Sequence, residues 1–184
     1  GGVIDFGAAQ ITVADSTFAS NVHGSGGGGD VTLQGGVVDL TGTNVNVEAI
    51  AGTGNAGSVS ISGVVTLAEG SALTANSRGS GLGGDVTIEG TSLTMTDALI
   101  ASNSFAEGNG GRVEVTVTTL AMNGSAIRAQ VHSSGDGGEV SIIATNASLD
   151  NGSGIDASVL ATGSGLGGDI DIDVVENLST RAAC

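Results

Sequence analysis

The sequence predicts an all-β fold, a parallel β-helix (β-solenoid) with about 27 residues and three strands in each coil. Three observations support this prediction: a paired-glycine motif recurs at a nearly constant interval, short segments alternate apolar and polar residues, and the 184-residue chain contains no proline. A single repeat of this length cannot bury its own apolar side chains, whereas stacked repeats share one continuous core. The interval predicts nearly seven coils.

The paired-glycine motif sets the length of the coil. Its clearest copies are GSGGGGDVTL at 24–33, GSGLGGDVTI at 79–88 and GSGLGGDIDI at 163–172, with weaker copies between them. The residues that follow the pairs are 27 or 28 positions apart, except for the last interval of 30. They are expected to stack along one edge of the solenoid: Asp30, Ser58, Asp85, Arg112, Glu139 and Asp169.

Each repeat contains three short runs in which apolar and polar residues alternate. The first run follows the glycine pair, the second follows a small polar turn, and the third precedes the next glycine-rich segment. Period-two alternation over about five residues indicates a half-buried strand, and copies one repeat apart are expected to pair in parallel. The apolar positions predict the core: Val31, Leu33, Val59, Ile61, Val86, Ile88, Leu93, Met95, Ile100, Val113, Val115, Leu120, Met122, Ile127, Val140, Ile142, Leu149, Ile155, Ile170 and Ile172.

A single solenoid domain is expected over residues 1–184, with the coils in 1–175 and a short tail in 176–184. Neither end shows the polar cap or helix that usually covers the terminal coil of a solenoid. Uncovered strand edges are templates for strand addition. The sequence therefore predicts either a segment of a longer shaft or copies that stack end to end into a fibre.

The composition limits the classes of partner. The chain has 19 acidic and 4 basic residues and a net charge of −15, so a nucleic-acid partner, which requires basic residues against phosphates, is not expected. The apolar runs are far shorter than the ~20 residues of a membrane-spanning helix, so no membrane insertion is expected. The single cysteine, Cys184, allows neither an intrachain disulfide nor a cysteine-based zinc site.

No cofactor is expected, although the glycine motifs match two known patterns. Gly79-x-Gly81-x-x-Gly84 has the spacing of a dinucleotide fingerprint, but that fingerprint binds pyrophosphate where a helix begins, and here each copy precedes a strand. Glycine-rich segments with aspartate also occur in calcium-binding β-rolls, whose repeats are only nine residues long. Ser58 and Arg112 replace the acid in two of the coils.

Charged residues near the glycine pairs suggest two local arrangements. Arg112 falls between Asp85 and Glu139, which predicts a charge ladder in place of repulsion between like charges. Alternate residues of a strand point to the same side, and Ca²⁺ binds six to eight oxygens. Four acids are therefore weak candidates for calcium ligands: Glu139, Asp169, Asp171 and Asp173. The alternative is that these acids form a solvated strand edge.

Two further classes of function are less favoured. A polysaccharide-active β-helix enzyme needs a pair of carboxylates about 5–9.5 Å apart or a basic residue beside acids, and here the outward acids are scattered and lysine, tyrosine and tryptophan are absent. An ice-binding solenoid needs an unbroken flat row of threonines. Acids interrupt both outward rows, the second of which reads Thr12, Asp39, Thr66, Thr94, Ala121 and Ser148.

The repeat G-S-G-x-G-G-[DE]-[VI]-x-[IV], followed by runs such as SLTMTDALIASNSF at 92–105, resembles the haemagglutinin-type repeats of filamentous-haemagglutinin-like exoproteins over essentially the whole chain. The resemblance implies a right-handed β-helix that is exported across a bacterial outer membrane and serves adhesion, aggregation or surface structure. The expected function is a non-enzymatic extracellular rod, the shaft of a surface or secreted filamentous adhesin. The alternative is a subunit of a self-assembling fibre. Expected partners are further coils or copies, and a glycan or protein on a host or neighbouring cell.

Overall fold

The computed structural model describes residues 1–160 and 164–182, and all regular secondary structure in these ranges is β-strand. Cys184 and Gly163, the first residue of the last motif copy, lie outside the described residues. In chain order the strands are β1 (Ile4–Ala14), β2 (Thr17–Ala19), β3 (Val22–His23), β4 (Val31–Thr41), β5 (Asn44–Asn46), β6 (Ala49–Ala51), β7 (Val59–Ala68), β8 (Ala72–Thr74), β9 (Asp85–Thr96), β10 (Leu99–Ala101), β11 (Arg112–Asn123), β12 (Ala126–Arg128), β13 (Glu139–Asp150), β14 (Gly154–Asp156) and β15 (Asp169–Arg181).

The strands form parallel sheets whose neighbours come from successive repeats. Seven long strands lie in the order β1-β4-β7-β9-β11-β13-β15, and six short strands lie in the order β14-β12-β10-β8-β5-β2. Equivalent residues stand in register, as Val86 does between Val59 and Val113. The chain thus winds as a β-solenoid of about six turns, and the predicted all-β parallel solenoid with coils of about 27 residues is confirmed.

The division of the coil into strands differs from the expectation. The first and second runs form one continuous strand of 10 to 13 residues in every coil. The strand bends where two successive residues face outward, Thr118 and Thr119 in β11, and Gly63 adopts a φ of +136° at the equivalent bend of β7. A column of single-residue bridges closes the coil after the short strand: Ala49, Ser77, Ser104, Val131 and Val159.

The core is a stack of aliphatic side chains in which every predicted core residue from Val31 to Ile142 is at most 1% exposed. Leu149 and Ile155 are partly buried against it. Ile170 and Ile172, predicted to be core, are instead 46% and 38% exposed. They belong to β15, the last strand of the described sheet, so only β13 packs beside them. Burial of a side chain here requires a coil on both sides.

Residues 176–181 differ from the predicted tail. They continue β15, where Asn177 pairs with Asn146 and Leu178 pairs with Ala147. The pairing shifts between Ala144 and Asn146, because β15 contains one extra residue at the bend. The last described coil therefore has both the first and the second run of a complete repeat.

The glycine pairs let neighbouring coils approach each other closely. The second glycine donates its N–H across the coil to a carbonyl, as Gly57 does to Val47 at 2.8 Å and Gly84 to Ala75 at 2.7 Å. Neither Gly57 nor Gly84 has a positive φ. A Cβ at Gly84 would instead lie against the carbonyl of Gly57 in the preceding coil. Glycine is required here because the neighbouring coil leaves no room for a side chain, and not because the backbone adopts a left-handed conformation.

Candidate functional surface

One outward face of the solenoid is strongly acidic, and we call it the acidic face. It consists of the residue that follows each glycine pair, from Asp30 onward, and of the outward residues of the first run after it, in β4 to β15. Eight of these side chains are acids against a single arginine, Arg112. The acids are Asp30, Asp85, Glu89, Glu114, Glu139, Asp169, Asp171 and Asp173.

The predicted charge ladder forms only on one side of Arg112. The guanidinium lies 3.4 Å from Glu139 in the next coil and 3.1 Å from Glu114 on its own strand. Asp85 is in register with Arg112, but no ion pair joins them in the described part of the chain, because the guanidinium turns toward the other two carboxylates. Arg112 and Glu139 are about half exposed, so each pair contributes at most about 1 kcal/mol.

The candidate calcium ligands do not converge. Glu139 pairs with Asp169 across the strands, and its carboxylate is already engaged by Arg112. Asp171 and Asp173 lie beside Ser141 and Ile143, and alternate residues of a strand are about 6.6 Å apart. Within residues 1–160 and 164–182, no group of three or more histidine, cysteine, aspartate or glutamate side chains could hold a metal ion. The calcium hypothesis is therefore not supported.

An open groove of about 550 Å³ follows the glycine pairs beside the acidic face. Its floor is the backbone of the paired glycines, which carry no side chains to fill it. One wall carries Leu82, Asn109, Asp136 and Leu166, and the other carries Asp85, Arg112, Glu139 and Asp169. The groove runs along four successive coils, and each coil contributes an equivalent set of lining residues.

Inside the corner near the short strands, amide side chains form a ladder that sequence reasoning missed. The Asn76 carbonyl oxygen Oδ1 accepts a hydrogen bond from the Asn103 N–H at 2.8 Å, and Asn103 Oδ1 accepts one from the Gln130 N–H at 2.8 Å. All three residues are buried. The available signal was an amide residue at the same place in three successive repeats.

The amide ladder ends on Asp156. Gln130 Nε2 donates to Asp156 Oδ2 at 2.7 Å, and the Ser158 N–H donates to Oδ1 at 2.8 Å. Burial by itself raises the pKa of this carboxyl. The hydrogen bonds from Ser158 and Gln130 and the charge of Arg128 outweigh burial and bring the pKa below its ordinary value of 3.8.

Asp156→Asn should therefore change the pH dependence of stability. A lowered folded-state pKa stabilises the fold above the unfolded-state pKa, and this contribution is lost as the pH falls through the folded-state value. We expect the variant to be less stable than the native chain at pH 6 and the difference to shrink below pH ~4. Urea unfolding at pH 6, 4 and 2.5 measures it. A difference that stays constant with pH would contradict the assigned hydrogen bonds.

An arginine, a phenylalanine and a histidine from three successive coils stack on one another, each directly after a residue of the column of single-residue bridges. The Arg78 guanidinium lies 5.2 Å from the ring centre of Phe105, and the His132 ring lies 4.4 Å from the same ring. Arg78 also pairs with Glu48 at 3.4 Å. Both faces of Phe105 have neighbours, so this stack serves the packing of successive coils.

The outward side of the second run differs sharply from the acidic face. From β7 to β13 it carries small, uncharged side chains in three columns across four strands, and we call this surface the neutral face. In these four strands, the only charged residue that stands in one of the three columns is Asp150, at the end of β13. The neutral face comprises Val64, Thr66, Ala68, Ser92, Thr94, Thr96, Thr119, Ala121, Asn123, Asn146 and Ser148.

Comparison of the chain with models of known protein families, with curated proteins and with solved structures gives no significant match. Within residues 1–160 and 164–182, no helix has the length and hydrophobicity to cross a membrane.

Proposed function

We propose that this chain is a non-enzymatic extracellular rod, the shaft of a bacterial surface or secreted filamentous adhesin similar to filamentous-haemagglutinin-like exoproteins. The observation that carries the proposal is the parallel pairing of seven long strands from successive repeats in one sheet. Each described coil adds one strand to the same ladder, and strands in a sheet are about 4.8 Å apart. Six such steps give a rod about 29 Å long.

A shaft must resist bending and pulling without a folded partner, and the architecture supports this role. Its backbone hydrogen bonds run along the rod, so extension would have to break all hydrogen bonds between two long strands together. The continuous aliphatic core links successive coils in the same direction. The free energy of unfolding of such a repeat protein is approximately the sum of the stability of each coil and of the interactions between neighbouring coils.

The adhesive part of the proposal rests on repetition. A surface that recurs in every coil can make many weak contacts at once, and linked contacts raise the overall affinity without any single strong site. The groove and the acidic face recur in this way. The partner would be a glycan or a protein on a host or neighbouring cell.

A second candidate, a subunit of a self-assembling fibre, is favoured by the apolar side chains on the two outermost coils. Phe6 is 47% exposed and packs on Phe18 in the first coil, and Ile170 and Ile172 are exposed in the last. Continuing the register would place Ile170 on Ile4 and Ile172 on Phe6. In the shaft and in the fibre alike, the surface that covers them is another coil.

Negative-stain imaging and a glycan array test these proposals. We expect particles with the width of one coil and a uniform cross-section. Long filaments of that width would favour the fibre subunit, and short rods would favour the shaft. Globular particles would contradict both. Binding on the array that depends on several coils would support the adhesive role, and cleavage of a polysaccharide by the purified chain would contradict the non-enzymatic one.

A further inference from the structure

Three asparagines of this chain stand directly before a glycine: Asn109, Asn123 and Asn151. Asparagine is a chemically labile residue. It is most labile before glycine, because the backbone nitrogen that attacks its side chain is then least hindered by a neighbouring side chain. All three asparagines are exposed, so access to water does not distinguish them. The hydrogen bonding of the glycine that follows each asparagine does.

The backbone N–H groups of two of these glycines are held by the next coil. The Gly110 N–H donates to the Asp136 carbonyl at 3.0 Å, and the Gly124 N–H donates to the Asp150 carbonyl at 3.2 Å. In each case the peptide nitrogen can turn toward the preceding asparagine only if the two coils separate there. Local opening of packed structure costs free energy, so the fold protects these two asparagines.

The turn between β13 and β14 lacks this protection. Asn151 and Gly152 have φ values of +52° and +76°, and the Ser153 N–H donates to the Asp150 carbonyl at 3.1 Å. Positive φ at both central residues is the pattern of a type I′ turn. Among the described residues, no oxygen accepts the Gly152 N–H. The Asn151 side chain donates one hydrogen bond, from Nδ2 to Asn123 Oδ1 at 2.8 Å, and breaking it needs no movement of the backbone.

We propose that Asn151 is a site of spontaneous deamidation and that the fold protects Asn109 and Asn123 from the same reaction. The Gly152 nitrogen attacks Cγ of Asn151. The N–Cγ bond forms, the Cγ–Nδ2 bond breaks, and ammonia leaves with the proton of the Gly152 amide. Water then opens the succinimide ring at one of its two carbonyl carbons and leaves either aspartate or isoaspartate. Asparagine and water thus give a carboxylate and ammonia, and no other reactant is needed.

Both products alter the corner of the solenoid that contains this turn. The new carboxylate adds one negative charge, directly after Asp150, to a chain whose net charge is −15. Isoaspartate also adds one carbon atom to the main chain between β13 and β14. The Asn151 N–H donates to the Arg181 carbonyl of β15 at 2.9 Å, so we expect the modification to loosen the contact between this corner and β15. This inference does not depend on the proposed adhesive function.

Peptide mapping by mass spectrometry, after incubation in a mildly alkaline buffer, tests the selectivity. In the native chain we expect Asn151 to deamidate at least about tenfold faster than Asn109 or Asn123, because reaction at the other two sites requires local opening. In the urea-unfolded chain we expect comparable rates, because all three sites are Asn-Gly dipeptides. Equal rates in the native chain, or a faster reaction at Asn109 or Asn123, would overturn the proposal.

Two matched variants and hydrogen exchange test the site and its cause. Asn151→Gln and Asn123→Gln each lengthen the side chain by one methylene, which disfavours ring closure. On isoelectric focusing we expect Asn151→Gln to stop the accumulation of a more acidic form and Asn123→Gln to leave it unchanged. Amide exchange measured by nuclear magnetic resonance should be at least about tenfold faster at Gly152 than at Gly110 or Gly124. Equal effects of the two variants, or a protected Gly152 amide, would contradict the proposal.

Discussion

Ile88→Asp should prevent the chain from folding. Ile88 is fully buried, and its β9 position lies in register with Ile61 in β7 and Val115 in β11. The substitution removes a side chain whose burial contributes about 1.5–3 kcal/mol and places a carboxylate where it has no partner. An unpaired buried charge costs several kcal/mol more. Circular dichroism should show loss of the β-sheet signal. Ile142→Asp, two coils farther along, should behave in the same way.

Thr87→Asp is the matched control for this prediction. It adds the same carboxylate to the neighbouring position of the same strand, but on the outward side. We expect its thermal unfolding to stay close to that of the native chain, because surface substitutions usually change stability by no more than about 0.5 kcal/mol. If Ile88→Asp and Thr87→Asp melted alike, the inward and outward assignments of the strands would be wrong.

Gly137→Ala should have the second largest effect, a loss of about 3 kcal/mol or more. An added Cβ would lie against the backbone of Gly168 in the next coil, 2.8 Å from its Cα, and against the Ala157 carbonyl. Backbone atoms cannot move aside as a flexible side chain can, so the coils would have to separate. Overpacking of a well-packed interior commonly costs 1–3 kcal/mol and sometimes more. Urea unfolding measures the loss.

Gly167→Ala provides the control for the glycine pair. Gly167 is the first glycine of the last pair, the same place in the repeat as Gly137. Among the described residues, no heavy atom lies within 4 Å of the Cβ position at Gly167, and the φ of Gly167 is not in the left-handed region. We expect Gly167→Ala to keep native stability or to gain slightly, since alanine has less chain entropy to lose. Equal losses in both variants would show that close approach between coils is not the reason for the glycines.

The repeat and the identity of the central core could be predicted because they depend on features that the sequence displays directly. Alternation marks inward residues such as Val113 and Val115, and the interval of 27 residues fixes which of them share a column. The break between the first and second runs suggested a turn. In the structure the strand only bends there, because a parallel ladder can continue through two outward residues such as Thr118 and Thr119.

Other features could not be predicted because they depend on neighbours in space. Ile170 has the same pattern as Val140, but only one of them has a coil on each side. Arg112 has acids in both adjacent coils and a third on its own strand, and the pattern alone does not say which carboxylates the guanidinium reaches. The amide ladder depends on hydrogen bonds from side-chain oxygens to backbone N–H groups of the next coil, and apolar alternation in the sequence does not reveal such bonds.

Distances between spin labels test the central claim, the stacking of equivalent residues along one axis. Thr32 shares a column with Thr87, Ser141 and Asp171, which lie two, four and five coils away. In a Cys184→Ser background, cysteine pairs that join Thr32 to each of these positions can be labelled and measured by electron paramagnetic resonance. The stacked solenoid predicts mean separations near ~10, ~19 and ~24 Å, an increase of about 4.8 Å per coil. Separations that do not increase with coil number would contradict it.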